Sequence, residues 1–528
     1  MEHLPQELID RIVWFAERYP GQDQWYSAIG QFHRVGEPPS QFPRLAILNR
    51  LWKEAVETIT FRSLAIKSDE LNVLQSMVTG NRRKYLASIR FIAILPTYSD
   101  EACARRESPN EQHINNEAFS KAIFDLFAVL KEWENDGVQN ALYLDLASAT
   151  SPADLRMYGS GPEQESLRYD IAIVKRKDIL WDRWEQSQLH LLHPERLSKL
   201  SNIAHLRVEG NGRRRLMAAT APDLAASLPN LKSVQWDFYD CDAGSAYDAT
   251  NNDSSDSDSD SDYELGESNS SASAKMPGNA RKLFADRLNS IQLSTLSSAN
   301  IVFYHAMPFD QKRTCPSIVP TGFSFDPFSA ALRRFSQNLT TVTLNAHLDS
   351  TLFWPSSDEQ DAMAPYWPNL KSLDIDLIMI APSGQWYFTG QRPSDHENDD
   401  PGPVIIGADN LEHNYSDFRV HPDPDTFDPF LAALAKAIAQ MPVLEYFMLT
   451  SDLSGETGRL HIEYAAPGKA SSVGDESPED AQYRRVYYAC EVGKVWVPEQ
   501  ETAEGLRNAG KEKFGGEVIE RYVGSIYR

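Results

Sequence analysis

The sequence is poor in cysteine. Cys103, Cys241, Cys315 and Cys490 are the only four in 528 residues, and no two have CxxC spacing. That excludes a disulfide framework or a CxxC-built zinc site, and fits a reduced intracellular protein of the cytoplasm or nucleus. Basic residues are also scarce: 51 Lys and Arg face 75 Asp and Glu, a net charge of −24. A nucleic-acid or anionic-membrane binder needs a basic footprint, so neither partner is expected. Long apolar runs are missing too. The richest window, Leu431 to Leu449, is broken by Lys436, Gln440, Pro442 and Glu445, so no membrane span is expected. The first residues, MEHLPQELID, lack the apolar stretch of a signal peptide. What is present suffices for a folded protein: 41% of residues are hydrophobic, and the length predicts roughly three domain-sized units.

The amino-terminal segment carries the sharpest pattern. Leu4, Leu8, Ile12 and Phe15 recur at helical steps, with Ile9 widening the stripe and Pro5 suited to the first turn. A second apolar segment follows Pro43, with Leu45, Leu48, Trp52 and Val56 again at steps of three or four. Two helices this short and this apolar expect a partner or a following domain.

The stretch Leu4-Pro5-x-Glu7-Leu8-Ile9-x-x-Ile12, followed by Leu45-Ala46-x-Leu48-Asn49-Arg50-x-Trp52, resembles an F-box. The likeness extends through FRSLAI (61–66), residues 80–107 and residues 115–137, which resemble F-box proteins of filamentous fungi. The resemblance implies a small helical bundle that docks on the Skp-type linker subunit of a cullin–RING ubiquitin ligase. Carried over residue by residue, it implies docking contacts at Leu4, Pro5, Leu8, Ile9, Ile12, Leu45, Leu48 and Trp52. The sequence departs from the family twice. Asn49 stands where the family often has Cys, and residues 19–41 set the two halves far apart. The competing reading is that these helices only cap the rest of the chain.

Beyond residue 66 the pattern is an irregular helix–strand repeat. Residues 117–133 predict a helix with Phe119, Ile123, Leu126, Phe127, Leu130 and Trp133 on its apolar face, capped by Asn115 or Asn116. Short strands are expected at 141–146, 203–208, 231–236, 339–344, 370–377 and 444–449. Three of them follow an apolar-Pro entry: LPNLKSV, WPNLKSL and MPVLEYF. FDPFSAAL (325–332) and FDPFLAAL (427–434) differ at one position, each predicting an Asp N-cap with Pro at the first helical position. Such self-similarity points to a solenoid, although the strand spacing is uneven. The expected fold is mixed α/β, an amino-terminal helical F-box followed by an irregular leucine-rich-repeat-like arc. The expected divisions are 1–66, 67–250, an acidic Ser/Asp tract at 251–280, and 281–528, closed by a cap that includes a hairpin at 484–498. The tract NNDSSDSDSDSDYELGESNSSASAK (251–275) has almost no apolar content and reads as disordered, as do 392–403 and 466–480. Ser beside Asp also suits acid-directed kinases.

Catalytic motifs are not found. HLLHPE (190–195) brings His190 and His193 near Glu195 without a third ligand, and reads as a surface helix end. YGSGPE (158–163) is no nucleophile elbow, and neither GxxxxGK[ST] nor a strand-borne GxGxxG occurs. Asp374 and Asp376 form a DxD, but they alternate with Leu373, Ile375 and Leu377 as the outward face of a strand would. Ser372, Asp374 and Asp376 are therefore candidates for partner contact. The expectation is a non-catalytic adaptor without metal or cofactor, joining the linker subunit, and through it cullin, to an unidentified target protein.

Overall fold

In the computed structural model of the chain, the described residues are 5–18, 42–154 without 104, 139 and 148, 183–184, 187–242 without 213, 279–304, 311–359 without 313, 363–390, 405–406, 412–413, 418–454, 458–472, 477–490 and 496–523. Two units divide the chain: Met1–Leu216 with Ser227–Leu231, and Met217–Ala226 with Lys232–Arg528. Segments 19–41, 251–275 and 392–403 lie outside the described residues. Part of 466–480 is ordered, with a 3-10 turn at Asp480–Gln482. No helix among the described residues is long and apolar enough to cross a membrane.

The first unit begins with helix α1 (Gln6–Arg18), a 3-10 turn at Phe42–Ile47 and helix α2 (Arg50–Thr60). Ile9 and Val13 of α1 meet Trp52, Ala55 and Val56 of α2 in a small apolar core. Strands β1 (Ser63–Lys67), β2 (Ser88–Ile92), β3 (Leu142–Leu146) and β4 (Ile203–Gly210) then pair side by side, all parallel. Helix α3 (Pro109–Asn135) buries the apolar stripe that the sequence predicts. It starts earlier than the apolar pattern does, because Ser108 and Glu111 form a capping box. The Glu111 N–H donates to Ser108 Oγ, and the Ser108 N–H to Glu111 Oε2.

The second unit holds helices α4 (Asn279–Ser290), α5 (Pro327–Ser336), α6 (Phe427–Ile438) and α7 (Gln500–Arg507). Its strands are β5 (Ser233–Tyr239), β6 (Ser298–Tyr304), β7 (Thr341–Ala346), β8 (Ser372–Leu377), β9 (Tyr446–Ser454), β10 (Gly458–Ala465), β11 (Arg484–Cys490) and β12 (Val518–Val523). They lie in chain order across one sheet. It is parallel from β5 to β9, antiparallel at β9/β10 and β10/β11, and parallel again at β11/β12. Residues 491–495 of the hairpin expected at 484–498 lie outside the described residues; among the described residues β11 pairs with β10 and β12, and 496–498 form no strand. One face of β5–β8 buries alternate apolar residues. Phe284 of α4 meets Trp236, Phe303 and Phe328 there, with ring centroids 6.0, 5.1 and 5.5 Å away.

Several strands are entered in the same way. In β5, β8 and β9 the Leu that follows the Pro (Leu231, Leu370, Leu444) is fully buried, and the strand begins two residues later than its apolar pattern. The carbonyl just before or at a strand start accepts two successive N–H groups from the next strand's start. Lys232 O takes Ser297 and Ser298, Ser297 O takes Thr340 and Thr341, Thr340 O takes Lys371 and Ser372, and Lys371 O takes Glu445 and Tyr446. In the first unit Arg62 O likewise takes Ala87 and Ser88. The two FDPF copies diverge. Asp326 caps α5, its carboxylate accepting from the N–H groups of Phe328 and Ser329. In α6 the cap is Thr426, and Asp428 sits inside the first turn. There the N–H groups of Thr426 and Phe427 already bond Asp423 O, so the preceding turn runs straight into the helix.

Each unit also buries a knot of charge. In the first, Glu107 has a side chain fully withdrawn from solvent. It accepts from Arg214 Nη1, Ser187 Oγ and, at 2.9 Å, Asn115 Nδ2. Arg183 donates to Glu111 at 2.9 Å and lies over the Tyr98 ring, and Tyr98 Oη donates to Asp154 at 2.7 Å. In the second, buried Arg281 donates to Asp240 (2.6 Å), Asp326 (2.9 Å) and the carbonyl of His347 (2.7 Å), with its guanidinium 4.0 Å above Phe328.

Candidate partner-binding surfaces

Two of the residues that the sequence assigns to docking are core. Ile9 is 1% exposed and Trp52 3% exposed, both inside the α1–α2 cluster, so neither offers surface for contact. Leu45 is half-buried against the same cluster. Pro5 is exposed, and Leu8 and Leu48 remain 45% and 49% exposed. Leu4 and the side chain of Ile12 lie outside the described residues. Sequence reasoning missed two more exposed apolar side chains on these elements, Ile47 at 85% and Leu51 at 41%. Both fall outside the stripe of Leu45, Leu48, Trp52 and Val56. Asn49 has a clear local role. Its backbone is extended, and its Oδ1 accepts from the N–H groups of Leu51 (2.9 Å) and Trp52 (3.2 Å), capping α2.

The second surface is the face of β5–β9 opposite the buried apolar residues. Ser372, Asp374 and Asp376 lie on it, alternating with buried Leu373, Ile375 and Leu377. Register brings Asn300, Thr343, Asp374 and Met448 into one row, and Val302, Asn345, Asp376 and Thr450 into the next. Asn345 Nδ2 donates to Asp376 at 2.7 Å, and Thr450 Oγ1 donates to its other oxygen at 3.3 Å. Partial burial raises the pKa of both aspartates; Asp376 adds to the rise at Asp374, and Asp452 to that at Asp376. Both carboxylate oxygens of Asp376 are thus engaged. Among the described residues no group of His, Cys, Asp and Glu is arranged to hold a metal ion. Tyr239 and Tyr304 lie side by side at the carboxyl ends of β5 and β6, and Tyr304 is 56% exposed. Tyr, Asn, Thr and Asp together are a composition suited to protein contact, a rigid aromatic area among adaptable polar groups.

At β10 the same face closes. His461 and Glu463 are buried, with His461 Nε2 2.9 Å from Glu463 Oε2. Ser472 Oγ lies 3.3 Å from the same nitrogen and also donates to Glu463. A nucleophile relay needs the hydroxyl and the carboxylate on opposite ring nitrogens. Here both sit on Nε2, so the arrangement is a polar knot that fastens Ser472 over the strand.

HLLHPE sits in a turn, and Cys103 in a buried apolar contact. HLLHPE is not a helix end. Its Pro194–Arg196 form a 3-10 turn after His193, whose φ of 56° is the only positive value at a non-glycine among the described residues. His193 and Glu195 are both well exposed and 3.4 Å apart. Cys103 is buried against Trp184 and points its thiol at Ser99 O, while Arg105 pairs with Glu111. YGSGPE lies outside the described residues.

No family model matches the chain, and no curated protein matches it.

Proposed function

We propose that the protein is a substrate-recognition adaptor of a Skp–cullin–F-box ubiquitin ligase, acting inside the cell in the cytoplasm or nucleus. The observation that carries this reading is the apolar surface left open on the F-box-like bundle. Leu8, Ile47, Leu48 and Leu51 face solvent on three elements that share one small core. Apolar side chains held on a rigid bundle suit a groove on a linker subunit. The polar β5–β9 face is the place for a target protein. The mechanism is proximity: the ligase meets a tethered target at raised effective concentration, and no residue of this chain does covalent work. The rival reading, a scaffold whose first helices serve only as a cap, draws support from the burial of Ile9 and Trp52 in the core.

The test is co-purification with a fungal Skp-type linker subunit and cullin. The wild type should bind, and Ile47→Asp with Leu48→Asp should weaken binding by roughly 100-fold or more, since apolar anchors each contribute a few kcal/mol. Both positions are exposed, so circular dichroism of the variant should match the wild type. Failure of the folded wild type to bind would sink the adaptor reading and leave the scaffold.

A further inference from the structure

We propose that Ser472 is a phosphorylation site, and that its phosphate unfastens the end of segment 466–472 from β10 and bares His461 and Glu463. Three observations meet at this residue. Ser472 is exposed. The sequence places Asp475 and Glu476 three and four positions after it, and acid-directed kinases read carboxylates that follow the serine, through charge complementarity with a basic cleft. Its hydroxyl and its backbone are both committed to one buried carboxylate. The Ser472 N–H donates to Glu463 Oε1 at 3.1 Å and to Oε2 at 3.3 Å, and Ser472 Oγ donates to Oε2.

Glu463 makes the modification consequential. Its side chain is fully buried, and His461 Nε2 lies 2.9 Å from Oε2. Burial alone would raise its pKa, but hydrogen bonds from His461, Ser472 and Ser471 outweigh it and hold the carboxyl below its ordinary value. The carboxylate is therefore charged near neutrality. Among the described residues His461 is the only basic side chain within ion-pair distance of it. Lys469, three residues before Ser472, pairs instead with Glu445 at 2.9 Å.

Phosphorylation moves the terminal phosphoryl of ATP to Ser472 Oγ. The O–P bond forms as the bond to ADP breaks, and the hydroxyl proton passes to the base of the kinase. That proton is the one donated to Glu463, so the ester oxygen left behind can only accept. A phosphate of about −1.5 to −2 charge then stands against a buried carboxylate, and such a placement disrupts by repulsion and desolvation. The segment up to Lys469 keeps its own ties: the Ala466 N–H to Glu445 O (2.9 Å), the Gly468 N–H to Ala481 O (2.7 Å), and Arg485 to the Lys469 carbonyl. Opening is therefore confined to residues 470–472. Register places His461 beside Thr450 and Glu463 beside Met448, so release adds a further strand to the polar β5–β9 face. The value of that gain for a bound target rests on the role proposed for the face; the phosphorylation and the opening do not.

Treating the full-length protein with casein kinase II and ATP tests this, with casein as the control for kinase activity. Phosphosites are mapped by mass spectrometry, and histidines are footprinted with diethyl pyrocarbonate. Ser472 should carry phosphate. His461, 4% exposed in the closed state, should then react roughly tenfold faster or more, the worth of one lost hydrogen bond to a charged group. Exposed His193 and buried His347 should keep their rates. Ser472→Ala, which keeps the N–H bonds and gains no charge, should raise the reactivity of His461 far less. Casein phosphorylated while Ser472 stays unmodified would overturn the site. Phosphate on Ser472 with His461 no more reactive, or less, would overturn the release, as would an equal rise in Ser472→Ala without phosphate.

Discussion

Arg281→Met lowers the unfolding free energy of the second unit by about 3–5 kcal/mol at pH 7. The guanidinium is 1% exposed and meets Asp240, Asp326 and the His347 carbonyl within hydrogen-bond distance. Methionine keeps much of the volume and the contact with Phe328, so little of the loss comes from a cavity. The loss comes from two buried carboxylates left without their cation. Removing one partner of such a cluster costs far more than removing all of it. Adding Asp240→Asn and Asp326→Asn to Arg281→Met should therefore restore part of the stability, a non-additive result readable by urea unfolding. A loss below about 1 kcal/mol, or no recovery in the triple variant, would mean that this cluster does not hold the unit together.

The first unit has its own equivalent in Glu107. Glu107→Ala should cost about 3–5 kcal/mol, because Arg214 and Arg183 both stay buried when their shared carboxylate is gone. The damage should also be local. Glu107 joins α3, through Asn115, to Ser187, while Arg214 stacks on Trp184 at 4.4 Å. Trp184 in turn covers Cys103. Thiol labelling mapped by mass spectrometry should show Cys103 reacting faster in Glu107→Ala, with buried Cys315 and Cys490 of the other unit unchanged. Unchanged protection of Cys103 would show that the knot does not seat this segment.

How much of this was legible depends on the range of the interaction. Periodicity gives the buried stripe of α3, the alternation of β8 and the Asp326 cap, all of which are local. The capping box at Ser108 and Glu111 was readable in principle, but 109–116 is too polar to look like a helix. The faces of α2 and of the residues just before it were harder. Leu48, Leu51 and Trp52 are all apolar, and only the packing of α1 decides which of them turns inward. Neither charge knot could be read, because Asp240, Arg281, Asp326 and Asp349 are scattered over about a hundred residues and acquire meaning only when the sheet assembles. The FDPF pair carries the same lesson. Two nearly identical octapeptides start their helices differently, because the turn before each one differs.

The doubled hydrogen bond at the entries of β2, β6, β7, β8 and β9 has a consequence for how such a protein can change. Position along the sheet is set by one carbonyl meeting two amides, whatever the length of chain between them. The intervening segment is free to lengthen, shorten or be replaced, as the intervals of 31 and 74 residues between the successive strand starts at Thr341, Ser372 and Tyr446 illustrate. Descent with insertion would then alter what the molecule displays while these strands keep their seats, and two relatives could share this architecture with little alignable sequence between them.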